Sequence, residues 1–141
     1  MKHPIYHPAT TQTIDLAVPY QTAFEYLANP LHQAEWAINF VKSVREMPEG
    51  FLAETPGGWA SLVIDADPEK GTLDIILGGG KPIPTRLLPN GAGCTYVFTL
   101  AKPENMPVEA WEKEGIPGLC AELAHLKTLL ENRHAASTFA A

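Results

Sequence analysis

The sequence predicts an α+β fold in which a curved antiparallel sheet of six or seven strands wraps around one long C-terminal helix, with two short helices after the first strand. Three observations predict it. Strand-length runs succeed one another between residues 40 and 100, each closed by a Gly or Pro turn signal. The connections between them are too short for parallel crossovers, so neighbours must run antiparallel. Residues 108–132 then change period and carry an apolar stripe at helical spacing. At 141 residues the chain has the length of one domain, spanning 1–141, with a core over about 10–133 and a frayed tail at 134–141.

Gln12 to Val18 alternates polar and apolar residues, with Ile14, Leu16 and Val18 on one side, and Pro19 ends this first strand. From Tyr20 to Ala28 the apolar residues fall at Tyr20, Ala23, Phe24 and Leu27, which is helical spacing, and Asn29-Pro30 stops the helix. Pro30 opens a second short helix through Trp36. Strands are then expected at Phe40 to Met47, Phe51 to Thr55, Trp59 to Ala66, Thr72 to Leu77, Pro82 to Leu88 and Cys94 to Leu100. Alternation makes Ala60, Leu62, Ile64, Leu73, Ile75, Leu77, Tyr96, Phe98 and Leu100 one apolar face. In the last helix Ile116, Leu119, Cys120, Leu123, Leu126 and Leu130 form the stripe, with Glu122, His125 and Arg133 off it. The sheet is the only apolar surface large enough to cover that stripe, and Gly115-Ile116-Pro117-Gly118 should kink or interrupt the helix near its start.

Composition narrows the function. Hydrophobic residues at 45% and charged residues at 18% exclude a disordered or fibrous chain. A net charge of −6 with scattered Lys and Arg argues against a nucleic-acid partner. No signal-like run and no stretch of ~18 uninterrupted apolar residues is present, which predicts a cytoplasmic protein with no membrane span. Cys94 and Cys120 lack CxxC spacing and are expected as two buried free thiols, with a Cys94–Cys120 bridge as the alternative. His3 and His7 are four apart, but Pro4 and Pro8 oppose a helix that would align them, and His32, His125 and His134 make no ligand pair, so neither a metal site nor a cofactor is expected.

The order of elements resembles the START-like, or Bet v 1-like, superfamily of helix-grip domains. IDLAVPYQTAFEYLANPLHQAEW resembles its opening, TRLLPNGAGCTYVFTL its last hairpin and LKTLLE the end of its long helix. The likeness runs from about Thr10 to Arg133 and is closest to the bacterial polyketide cyclase/dehydrase-like group. It implies an apolar cavity between sheet and long helix. It also implies a range of roles that includes lipid and hormone carriers, aromatase/cyclases and chaperone activators, among which the fold itself does not choose.

Residues that could serve such a cavity are aromatic and scattered along the chain: Trp36, Phe40, Trp59, Tyr96, Phe98 and Trp111. Leu62, Ile75, Leu119 and Leu123 add aliphatic lining, and Arg86, which interrupts an apolar strand, could fork onto a ligand carboxylate if it points inward. His32 and Glu35, three apart beside Trp36, are the candidate acid/base pair, with Tyr96 as a further proton carrier. Asp65 and Asp74 should face one another across two strands on the polar side. Gly78-Gly79-Gly80 precedes a strand and so cannot act as a phosphate loop. The expected function is binding of a small hydrophobic or aromatic ligand. The alternatives are a cyclase/dehydratase-type enzyme and a chaperone-activator-like interaction module, and a homodimer is left open.

Overall fold

The structure is a computed structural model that describes residues 6–140, and the side chains of residues 6–137. His3 lies outside the described residues. Seven strands form one antiparallel sheet in the order β1-β7-β6-β5-β4-β3-β2. They are β1 (Ala9–Leu16), β2 (Ser43–Met47), β3 (Gly50–Thr55), β4 (Gly58–Asp67), β5 (Thr72–Leu77), β6 (Thr85–Asn90) and β7 (Gly93–Ala101). The last six follow one another as hairpins, as their short turns require. β1 instead pairs with β7, from Ala9 opposite Ala101 to Leu16 opposite Cys94. Helices α1 (Tyr20–Ala28) and α2 (Gln33–Trp36) carry the chain from β1 at one edge to β2 at the other, and α4 (Ile116–Ala140) packs beside β1. This is the helix-grip arrangement that the sequence predicts.

Local chemistry explains the joints. Asn29 ends α1, and its side chain accepts the Leu31 N–H at 3.0 Å, which starts the 3₁₀ turn Pro30–His32 leading into α2. After the single turn α3 (Val108–Ala110), the chain widens into a π-turn at Trp111–Gly115, where Ile116 N–H bonds the Trp111 carbonyl. That register shift precedes Pro117, whose missing N–H would otherwise break the ladder, and it interrupts the helix near its start. At the edge of the sheet, the Lys127 ammonium donates to the Asp15 carbonyl at 2.7 Å, and the Ala17 N–H donates to Glu131 at 2.7 Å. The end of β1 is thereby tied to α4.

Four expectations are corrected. β2 starts at Ser43 rather than Phe40, because the Ala37 carbonyl accepts both Phe40 N–H (3.0 Å) and Val41 N–H (2.8 Å) and holds that segment as a turn. β6 runs from Thr85 to Asn90: Pro82 and Pro84 have no N–H, and Ile83 makes only an isolated bridge to Ile75. Pro89 is tolerated in it because the β5 ladder stops at Thr72 opposite Arg86, so no donor is needed on that side. Helix α4 continues to Ala140, so residues 134–140 extend the helix instead of fraying from it. Finally, Cys120 is exposed and Glu122 buried, the reverse of the assigned stripe, while Cys94 is buried and both thiols are free.

Candidate functional site

The strand registers place cross-strand rows of side chains on the concave face. Phe51, Leu62 and Leu77 oppose one another across β3, β4 and β5, and Ile64, Ile75 and Ile83 form the next row. Thr85 opposes Phe98, and Leu87 opposes Tyr96 and then Ile14. Leu62, Ile75 and Leu87 are buried, yet Phe51, Ile64, Leu77 and Ile83 on the same face are only partly covered. Helix α4 closes the β1 side of the concavity, and the β3–β5 side keeps an incompletely covered apolar strip.

Beside that strip, Trp36 of α2 meets Tyr96 and Phe98 of β7 edge to face, with ring centroids 6.1 Å and 6.3 Å away, and the two β7 rings are 6.1 Å from each other. All three are nearly sealed, at 1%, 1% and 7% exposed respectively. Burial pushes the Tyr96 hydroxyl far up, and Thr85, which hydrogen-bonds it, donates onward to the Leu73 carbonyl at 2.6 Å. Leu119 and Leu123 face this core from α4. Trp36, Leu62, Ile75, Tyr96, Phe98, Leu119 and Leu123 are thus gathered in one core.

One ionisable group on α4 is buried that sequence reasoning passed over. Glu122 is 8% exposed, and its Oε2 accepts the Asn39 N–H at 2.9 Å. Burial raises its carboxyl to about 7, against the opposing pull of the Asn39 and Phe40 amides. Asn39 also donates through Nδ2 to the Gly118 carbonyl at 3.2 Å, so the loop after α2 is fastened to α4 twice. The available signal was the spacing: 119, 122, 123, 126 and 130 follow the helical period better than a stripe through 120.

His32 and Glu35 do not form the expected acid/base pair. Glu35 accepts the Tyr26 hydroxyl at 2.8 Å and Arg133 Nη1 at 3.0 Å, both on Oε1. Its carboxyl is held below its usual range chiefly by Arg133, with Tyr26 adding to this and burial opposing it. His32 donates through Nδ1 to the Tyr26 carbonyl at 2.8 Å and stacks on the Tyr26 ring at 4.2 Å. His125 donates to the Glu35 carbonyl at 3.1 Å. These contacts fasten α1, α2 and α4 together and leave Glu35 as a committed anion.

The remaining candidates lie away from the core. Phe40 is 46% exposed in the loop after α2, and Trp59 is 47% exposed on the outer face with Arg45 stacked over its ring at 4.8 Å. Arg86 is also exposed, because Thr85 and Leu87 on either side of it take the inward positions. Trp111 is buried, but in the π-turn rather than in the concavity. Asp65 and Asp74 do oppose one another across β4 and β5, on the outer face. Among the described residues, no three His, Cys, Asp or Glu side chains are placed to share a metal ion, and no helix is long and apolar enough to cross a membrane.

No protein-family model matches this sequence, and neither does any curated protein. Solved structures do match. An uncharacterized protein of Bacillus thuringiensis superposes with a TM-score of 0.67 at 8% identity, over 87% of this chain and 98% of that one. The Zhui aromatase/cyclase of Streptomyces sp. R1128 gives 0.64 at 17% identity, over 91% and 96%. Aha1 of Colwellia psychrerythraea, solved as a dimer, gives 0.60 at 16% identity, over 88% and 96%. At these identities the likeness establishes the fold alone, which is the helix grip.

Proposed function

We propose that this protein binds a small apolar or aromatic molecule against the concave face of its sheet. The observation that carries this reading is the partly covered strip of Phe51, Ile64, Leu77 and Ile83, which shares its face with a sealed aromatic core. Inward-facing aliphatic groups left partly in water gain about 25 cal/mol for each Å² that a ligand covers, and the rigid Trp36–Tyr96–Phe98 set is already ordered beside them. A lipid- or polyketide-like ligand is the class that the family resemblance implies, and the aromatase/cyclase neighbour supports it at the level of fold.

The second reading is an acid/base enzyme of the cyclase/dehydratase type, which Glu122 specifically favours. A carboxyl near 7 can both hold and release a proton at neutral pH, a role that Glu35, fixed as an anion, cannot fill.

Native mass spectrometry of freshly purified protein, followed by denaturing extraction, tests for a retained ligand. Titration with the apolar dye 1-anilinonaphthalene-8-sulfonate measures the site directly. Ile83→Glu and Leu77→Glu should each weaken dye binding at least about tenfold while retaining the far-UV spectrum, because each sets a charge in the strip. Arg86→Ala, on the outer face, should leave it unchanged. Equal dye binding by all four proteins would refute the concave-face site.

A further inference from the structure

The outer face of the sheet carries an apolar patch at its β2–β5 end. Alternation and register put Met47, Leu52, Trp59, Val63 and Ile76 on this side, with Val63 directly opposite Ile76 and Leu52 opposite Ser61. Trp59 and Val63 are about half exposed, whereas the β1 and β7 end of the same face presents Thr11, Thr13, Asp15, Thr95 and Thr99. The patch has relief as well as area. A hollow of about 170 Å³ opens beside Gly50, lined by Met47, Leu52, Ser61 and Val63 of this face, by Glu49 of the β2–β3 turn, and by Phe51 and Leu62, whose phase is that of the concave face. Gly50 creates the dip: a Cβ built there would meet nothing within 4 Å. The hollow falls below the roughly 300 Å³ at which pockets for drug-sized ligands begin, but a void near 150 Å³ takes one benzene-sized ring.

We propose that this outer face docks a second copy of the chain, with Trp59 of each copy seated in the hollow beside Gly50 of the other. Three features of the same face specify that occupant. Trp59 lies two residues before Ser61 on β4, and Val63, at the hollow, lies two residues after it. A two-fold axis lying between two stacked sheets, across the strands and over Leu52 and Ser61, therefore brings each tryptophan onto the opposite hollow, which is the condition for an isologous contact. The knob is held in advance, because Arg45 stacks on the Trp59 ring at 4.8 Å and limits its freedom. Charge completes the match: Arg45 shares the axis row with Leu52 and Ser61, but its guanidinium leans off the axis onto Trp59 and arrives with it at the hollow, which carries Glu49. Tryptophan and arginine are also the residue types that most often anchor protein interfaces.

Trp59 reports on its own burial, since Trp36 and Trp111 are sealed in the interior. Sedimentation velocity and acrylamide quenching of tryptophan emission should be followed together over a concentration series up to about 1 mM. The expected result is a monomer–dimer equilibrium in which quenching falls as dimer forms. Trp59→Ala and Val63→Arg should each raise the dissociation constant roughly 30-fold or more. Arg45→Glu and Glu49→Arg should each weaken association, and the double exchange should recover it to within about threefold, which mere surface damage could not do. A chain that stays monomeric to about 1 mM with Trp59 equally accessible throughout overturns the proposal. So does a dimer that neither Trp59→Ala nor Val63→Arg weakens.

Discussion

Glu122, buried on α4, accepts the backbone N–H of Asn39 at 2.9 Å, which joins the long helix to the loop after α2. This contact sets a pH dependence. Burial lifts the carboxyl from 4.5 to about 7, so between those values the folded chain holds a proton that the unfolded chain releases. Stability is therefore complete below about 4.5, falls as pH rises toward 7, and is flat above that as far as this group is concerned. The loss is on the order of 2 kcal/mol after allowance for partial solvation. Glu122→Gln keeps an oxygen acceptor for Asn39 without ever charging. Urea unfolding at pH 5 and pH 8 should show the variant gaining on the parent at pH 8 and matching it at pH 5, and equal differences at both would be contrary to this account.

The Glu35 cluster should behave with the opposite sign. Its carboxylate is stabilised by Arg133 and Tyr26, so that contribution is present above the ordinary carboxylate range and is lost as pH falls through the lowered value. Tyr26→Phe removes a 2.8 Å hydrogen bond to a charged acceptor and should cost about 1.5–3 kcal/mol at pH 7. Arg133→Met breaks a pair whose side chains are 52% and 36% exposed, and should cost about 1 kcal/mol or less. Thermal unfolding of the Arg133 variant at pH 7 and at pH 3 checks this, with the difference from the parent shrinking at low pH.

Period-2 alternation in β4, β5 and β7 was enough to assign Leu62, Ile75, Tyr96 and Phe98 to one face, and the Gly/Pro turns were enough to make the sheet a meander. No local pattern announced the pairing of β1 with β7, because strand order is a non-local property. Residues with mixed signals were harder to place. Trp59 is large and apolar yet faces out, because its phase on β4 is that of Ser61 and Val63. Glu122 is charged yet faces in, because the helical period at 119, 123 and 126 carries it there and two backbone amides solvate it. Residue type favoured one side and phase fixed the other. The role of Glu35 depended on Arg133, 98 residues away, a separation that spacing rules cannot bridge.

Trp36 stands at the centre of the aromatic contacts, edge-on to both Tyr96 and Phe98. Trp36→Ala should cost about 3–5 kcal/mol, since a sealed indole leaves a cavity that two rigid rings cannot collapse into. Trp36→Phe keeps one ring and should recover more than half of that. Urea midpoints at constant slope measure both, and a Trp36→Ala cost under about 1 kcal/mol would mean that the core closes without the indole.

Gly71 and Gly91 both have positive φ, +76° and +59°, but their surroundings differ, and that difference separates backbone strain from collision. At Gly91, in the turn between β6 and β7, an added Cβ meets nothing within 4 Å, so Gly91→Ala should cost only the left-handed conformation, about 1 kcal/mol. At Gly71 the Cβ would run into the Leu87 carbonyl oxygen, while the Gly71 carbonyl accepts the Leu87 N–H at 2.8 Å and the Tyr20 hydroxyl lies alongside. Backbone cannot swing aside as a side chain can, so Gly71→Ala must part β6 from the β4–β5 turn or give up that hydrogen bond. A cost of about 3 kcal/mol or more is expected, the sum of strain and a lost backbone contact. Urea unfolding of the two alanine variants checks it. Equal costs would show that the approach of Gly71 to Leu87 is not tight, whereas a gap of about 2 kcal/mol would measure the collision apart from the strain that both share.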